Sequence, residues 1–293
     1  MTRVWLLAGP PFGPALFRAA LPRLIASRPE ATVVALEVVE AAAGGGWQAS
    51  AEALAARVSA GDVVVAHGLA VPVAIAMDEL ARERGAPLGA IALLNGPLER
   101  LDRVASVVVQ LAHLPGAAHT LFHSAPWLAW LRSSAGLRRA VNNPYAMDRD
   151  TVAALCGPLV SDASQRVALV AWLRSLRTPW PSASTITAPL TLLWGDNDDL
   201  HPLGEADAIG AKRGAGLVRV ALGGRFAWPE ELPWVLADAV ASMFARSAPG
   251  TPVEPLSDPA PAPVEASTTP MSRTGKAGGA RRRRAPTKSQ VGI

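Results

Sequence analysis

The chain has 293 residues, half of them hydrophobic and 18% charged, enough to bury one large core together with an inserted subdomain. Its formal charge of +4 is uneven: residues 246–293 hold eight Lys or Arg against three acids, a net of +5, which leaves the first 245 residues at −1 and assigns any basic function to the tail. A single cysteine, Cys156, excludes an internal disulfide and a cysteine-only metal site and reads as a buried structural thiol. The apolar run at 4–7 is broken by Gly9, Pro10 and Pro11, and no stretch approaches the ~20 apolar residues of a membrane span, so the expected location is cytoplasmic; no cofactor is expected.

Along the chain, short apolar runs rich in β-branched residues alternate with longer amphipathic stretches, the pattern of a parallel sheet covered by helices on both faces. The first strand is predicted at 3–7 and is followed by a helix at 15–27. Strands at 31–36, 62–66 and 89–94 come next, with helices at 47–59 and 70–84 between them. About ninety residues between Pro97 and Pro189 then read as helical throughout and carry most of the clustered tryptophans. Strands resume at 190–194 and 217–222, with helices at about 203–212 and 230–245. The fold class is therefore α/β: a doubly wound, mostly parallel sheet of about six strands with a helical insertion after the fourth. From Ala248 the composition turns to Pro, Ala, Ser and Thr, too poor in large apolar residues to repay the entropy of ordering, so this tail is expected to be disordered. The predicted division is a core at 1–97 and 186–245, a helical cap at 98–185 and a Pro/Ala-rich basic tail at 246–293.

Four stretches make the chain resemble the capped α/β-hydrolase fold superfamily, and they fall in the right order over residues 1–245. Relative to that family the chain starts at the third strand. LLAGPPFGP, residues 6–14, stands where the family carries its His-Gly-x-Pro oxyanion loop, with Ala8 for the histidine; Pro10 follows Gly9 at the position whose backbone N–H faces the oxyanion, and proline has no N–H. DVVVAHGLAVPVAIA, residues 62–76, has the form of a nucleophile elbow, in which the family's Gly-x-Ser-x-Gly is replaced by Ala66, His67, Gly68, Leu69 and Ala70. Gly68 has no nucleophile, and the side chains of His67 and Leu69 leave the elbow in other directions. Gly68 nevertheless suits the positive φ such a turn requires.

APLTLLWGDNDDLHPL, residues 188–203, matches the strand and loop that carry the family's catalytic acid, and the resemblance puts Asp198 in that position. Asp196 and Asp199 read as solvated turn carboxylates and His201 as a loop residue, with a metal site from Asp198, Asp199 and His201 as the alternative. ALGGRFAWPEELPWVLADAVASMF, residues 221–244, resembles the last strand, histidine loop and final helix; Arg225 stands where the histidine would be, and a guanidinium cannot serve as a general base. The resemblance thus implies a degenerate triad that keeps the acid and has lost nucleophile, base and one oxyanion donor.

Three readings follow. In the first, the protein is a pseudoenzyme that binds a small apolar ligand or a protein partner, with a pocket between Gly9, Pro10, His67, Gly68, Leu69 and Arg225 below and Trp127, Trp130, Trp172 and Trp180 above. The tryptophans equally suit ordinary packing. In the second, it is an atypical hydrolase or lyase using His67, Asp198 or one of His113, His119 and His123. In the third, it is an interaction protein whose basic tail, above all Arg281, Arg282, Arg283 and Arg284, makes weak contacts with nucleic acid or an anionic surface. The site also predicts an ion pair between Asp198 and Arg225, replacing the acid-to-histidine hydrogen bond.

Overall fold

The computed structural model describes residues 2–247 apart from 43, 134, 135, 215, 221 and 222. Six strands, β1 (Arg3–Ala8), β2 (Thr32–Glu37), β3 (Val63–His67), β4 (Ala90–Leu94), β5 (Leu190–Gly195) and β6 (Gly216–Val220), form one sheet in the order β2-β1-β3-β4-β5-β6, and every pairing is parallel. β3, β4 and β5 are buried along their whole length, as apolar strands covered on both faces must be, whereas the edge strand β2 is only partly covered.

The helices are α1 (Leu21–Ser27), α2 (Val38–Ala41), α3 (Trp47–Ala55), α4 (Val71–Glu83), α5 (Arg103–Ala112), α6 (Ser124–Leu131), α7 (Arg149–Cys156), α8 (Ala163–Ser175), α9 (Leu203–Arg213), α10 (Trp228–Glu231) and α11 (Pro233–Ser247). α3 packs on α4 and α1 on α11. Two predicted helices are broken. The one at 15–27 splits into a 3-10 turn at Pro14–Phe17 and α1, and the last divides at Leu232, because Pro233 cannot donate the backbone hydrogen bond that would continue α10. The insertion is less uniformly helical than its apolar periodicity suggests: α5 to α8 are joined by 3-10 turns and loops in which Gly, Pro and Asn are frequent. The basic tail expected at 246–293, including Arg281–Arg284, lies outside the described residues from 248 onward.

Buried polar side chains hold the scaffold in register. Asp62 accepts hydrogen bonds from the backbone N–H of Arg3 and Ser59 and from the Trp5 indole, each at 2.9 Å, and so joins β1 to the start of β3. Asp78 on α4 accepts from the backbone N–H and hydroxyl of Thr187 and from the Ala188 N–H, which fixes the chain where it returns from the insertion into β5. The fully buried Trp172 of α8 donates to Ser50 Oγ at 2.9 Å, and the Ser175 hydroxyl accepts from the Trp47 N–H at 2.8 Å, so the insertion is rooted on α3. Cys156 is buried, and burial pushes its thiol pKa far up, in keeping with an inert structural residue.

Chain direction reverses its lateral progress at β1, since β2 lies on one side of it and β3 on the other. In open α/β sheets the crevice beyond the carboxyl ends of the strands at such a switch point is where ligands bind. Here that point lies between Ala8 and His67, which are paired in register, and it brings the Gly9–Pro11 and His67–Leu69 turns together. Gly9 is required by this approach: a Cβ on it would overlap the backbone of Leu69 and Ala70. Gly9→Ala should therefore cost about 3 kcal/mol in urea denaturation, near the upper end of ordinary overpacking. Gly204→Ala, on an open face of α9 where a methyl meets nothing within 4 Å, should leave stability unchanged or raise it by up to about 1 kcal/mol.

Candidate functional site

At the carboxyl edge of the sheet β3 ends in the predicted turn. Gly68 has φ +60°, the left-handed conformation of a nucleophile elbow, followed by a short 3-10 turn and α4. The tip of this elbow is filled. A Cβ at Gly68 would come within 3.0 Å of Cζ and 3.3 Å of Cε2 of Phe226. The Phe226 ring packs on His67 at 4.7 Å between centroids and on Phe12 at 5.6 Å, and Phe12 in turn meets His67 edge-on at 5.6 Å.

His67 is fully buried, and its Nε2 donates to the Phe226 carbonyl at 2.7 Å, which leaves Nδ1 as an unpaired acceptor. Burial holds its pKa down to about 4, so the ring is neutral. Ala8 is buried at the end of β1 and Gly9 donates its backbone N–H to the His67 carbonyl at 3.2 Å. Of the predicted pocket residues, Pro10, Leu69, Trp127 and Trp130 line a cavity; Gly9, His67, Gly68 and Arg225 lie outside its lining. Trp172 is committed to Ser50, and Trp180 likewise does not line it.

The Asp198–Arg225 ion pair does not form. Asp198, 8% exposed, accepts instead from Asn95 Nδ2 at 2.8 Å, from the Leu200 N–H at 2.9 Å and from His201 Nδ1 at 3.1 Å. Its hydrogen-bonding capacity is met within its own loop and by β4, so a guanidinium is not needed. Arg225 donates to the Arg139 carbonyl at 3.2 Å and lies 4.0 Å from the exposed Asp199, which Arg139 approaches at 3.8 Å. His201 is not a loop-packing residue either. It is buried between two carboxylates, with Nδ1 on Asp198 and Nε2 3.5 Å from Asp102 Oδ2, and its ring stacks on Phe226 at 5.1 Å. Burial alone would lower its pKa, but Asp102 and Asp198 outweigh that and raise it to about 9, so the ring is an imidazolium at neutral pH. Burial acts to raise the pKa of Asp102, and His201 with two backbone N–H groups brings it below the usual carboxylate range. Among the described residues no cluster of His, Cys, Asp or Glu is arranged to hold a metal ion, the Asp198, Asp199 and His201 set included. Among them, too, no helix is long and apolar enough to cross a membrane.

Sequence reasoning passed over Asn95 and Asp102. Asn95, fully buried at the end of β4 with φ +27°, donates to Asp198 and accepts from the Gly195 N–H at 2.9 Å and from the Trp228 indole at 2.8 Å. Asp102 caps α5 through Oδ1, accepting from Val104 and Ala105, and turns Oδ2 to His201. Asp102 and His201 both line the cavity, together with Pro10, Pro11, Leu69, Val108, Trp127, Trp130, Leu200 and Phe226. The cavity volume is about 90 Å³, and its wall is largely apolar.

No protein-family model matches the chain, and neither does any curated protein. Among solved structures it is similar to a thermophilic esterase from Thermogutta terrifontis, with 15% identity over 84% of this chain and 90% of the other at a TM-score of 0.63. A haloalkane dehalogenase, DbeA from Bradyrhizobium elkani, matches with the same identity, coverage and TM-score, and the epoxide hydrolase CorEH with 16% identity over 84% and 92% at 0.64. The protein has the α/β-hydrolase fold.

The imidazolium has a consequence for stability. Its folded pKa of about 9 lies above the ordinary 6.5, so its contribution is fully present below pH 6.5 and is lost as pH rises through about 9. At about 1.4 kcal/mol per pKa unit the contribution is about 2–4 kcal/mol. His201→Gln should be less stable than the native chain at pH 6, with the gap closing by about that amount by pH 10 in chemical denaturation.

Proposed function

We propose that this protein is a non-hydrolytic member of the α/β-hydrolase fold in which the segment between β4 and β5 acts as a cap over a pocket that binds a small apolar ligand. The observation that carries this reading is the filled elbow. The backbone turn that presents a nucleophile is kept, but Gly68 has nothing to present and Phe226 occupies the space a nucleophile would need. Pro10 has no N–H for an oxyanion, and Arg225 is turned to the Arg139 carbonyl and Asp199. A mostly apolar cavity with few polar groups is the usual character of a small-molecule site.

An enzyme of altered mechanism is the competing reading, since the similar structures include an esterase, a haloalkane dehalogenase and an epoxide hydrolase. Its proposed catalysts are poorly placed. His67 has no exposed surface and its donor is spent on Phe226, while Asp198 is engaged by three donors. A protein-partner role has its support in Val107, Leu111 and Leu114, apolar side chains exposed along and just beyond α5.

A fluorophosphonate probe for activated serines should leave the protein unlabelled. Gly68→Ser should hydrolyse activated esters no faster than the native chain, because the new side chain meets Phe226 and lacks a base. Stoichiometric labelling of a serine, or ester turnover in the native chain that is abolished by His67→Ala or Asp198→Ala, would overturn the proposal.

For the tail we propose a separate, sequence-independent polyanion contact. Residues 275–289 carry six positive charges, four of them in Arg281–Arg284, with no acid. Heparin or DNA binding should be detectable at low salt, fall steeply with added salt and disappear when the chain is truncated after Ala245; equal binding by both forms would refute it.

A further inference from the structure

The walls of the cavity are apolar, yet two of the residues that form them carry N–H groups without a hydrogen-bond acceptor. Trp127 on α6 is 7% exposed and packed between the rings of Phe122, at 4.9 Å, and Trp130, at 5.1 Å; its indole N–H has no partner. His201 is 4% exposed, and its Nε2 reaches Asp102 only at 3.5 Å, an ion-pair separation without hydrogen-bond alignment. Buried donors left unpaired are costly, about 1–3 kcal/mol each, and are rare in native proteins unless something outside the chain meets them. Of the other indoles, Trp194 donates to the His201 carbonyl, Trp228 to Asn95 and Trp172 to Ser50, while those of Trp47 and Trp180 are also without a partner but lie outside the cavity lining.

Charge narrows the class of acceptor. The imidazolium of His201 is already flanked by the Asp102 and Asp198 carboxylates, so this end of the cavity carries one negative charge in excess. At the rim, Arg139 and Arg225 approach Asp199. Counted together the six charges cancel, and a carboxylate or phosphate brought in beside Asp102 and Asp198 would be uncompensated in a largely apolar site.

We infer that the pocket's ligand is a neutral, compact apolar molecule bearing one hydrogen-bond-accepting oxygen, a ketone, ester or amide carbonyl, which is met by the Trp127 and His201 N–H groups. This rests on the binding reading proposed above and specifies its ligand class. The acceptor gives orientation, while the rings of Trp130 and Phe226 and the side chains of Leu69, Val108 and Leu200 receive the apolar body.

The test is an NMR titration of the full chain with three probes that share a phenyl ring: toluene, acetophenone and benzoate. Acetophenone should bind roughly three- to tenfold more tightly than toluene, the range for one net hydrogen bond, and benzoate more weakly than either. In Trp127→Phe, which keeps an aromatic ring and removes the donor, acetophenone should lose most of its advantage while toluene binding stays the same. Toluene and acetophenone binding equally to the native chain, or benzoate binding most tightly, would overturn the inference and leave the pocket-binding reading standing. Failure of all three to bind would overturn both. The native-chain comparison decides the matter even if Trp127→Phe does not fold.

Discussion

The site depends on one buried side chain, Asn95. Its amide oxygen accepts from the Gly195 backbone and the Trp228 indole, and its N–H₂ donates to Asp198, so one residue at the end of β4 holds the end of β5, the acid loop and α10 together. Asp198 passes the constraint to His201, and His201 to Asp102, which caps α5 at the entry to the insertion. In a low-dielectric interior such contacts reinforce one another, and here the core loop and the inserted helices share the same members. Asp102 and His201, which line the cavity, are therefore tied through Asp198 and Asn95 to the ends of the sheet strands.

The filled elbow has a related logic. His67, Phe12, Phe226 and His201 form a run of ring contacts from the end of β3 to the acid loop, and Phe226 touches both histidines. The two imidazoles are pushed in opposite directions: burial keeps His67 neutral, and two carboxylates keep His201 charged. The Phe226 ring lies between them, in contact with both. A side chain at the left-handed Gly68 would have to displace that ring, so packing as well as backbone conformation favours glycine there.

Much of this was legible in the chain. The strands were readable because parallel strands buried on both faces are continuous apolar runs, and the turn at Gly68 because glycine at a strand-to-helix junction has few other uses. The polar site was not. Asn95 followed by Gly96 reads as turn chemistry, and its partners are a hundred or more residues away. Asp102 before an apolar run reads as a helix cap, which it is, so its ion-pair contact with His201 leaves no trace in local pattern. A covered carboxylate needs a cation, which in the sequence points to Arg225; the cation on Asp198 is instead His201, three residues along the same loop, and Arg225 faces the exposed Asp199. The helix breaks follow from Pro22 and Pro233, whose rings fix where a helical hydrogen-bond ladder can begin.

The Asp78 clasp on Thr187 and Ala188 bears on how the molecule assembles. β4 and β5 are neighbours in the sheet, yet Leu94 pairs with Leu193 across the whole insertion. Loop-closure entropy grows only logarithmically, by about 0.6 kcal/mol for each doubling of length, so the equilibrium cost of so long a detour is modest. The kinetic cost is larger, because such a pairing cannot be rewarded until its distant halves have met. A carboxylate on α4, which lies earlier in the chain and packs on β3 and β4, gives the returning segment a polar landing point just before the strand it must become. The half of the sheet that carries the acid loop can thus be recruited onto a template formed by the first ninety-odd residues, with β5 docked by a contact that does not depend on the length of the inserted segment.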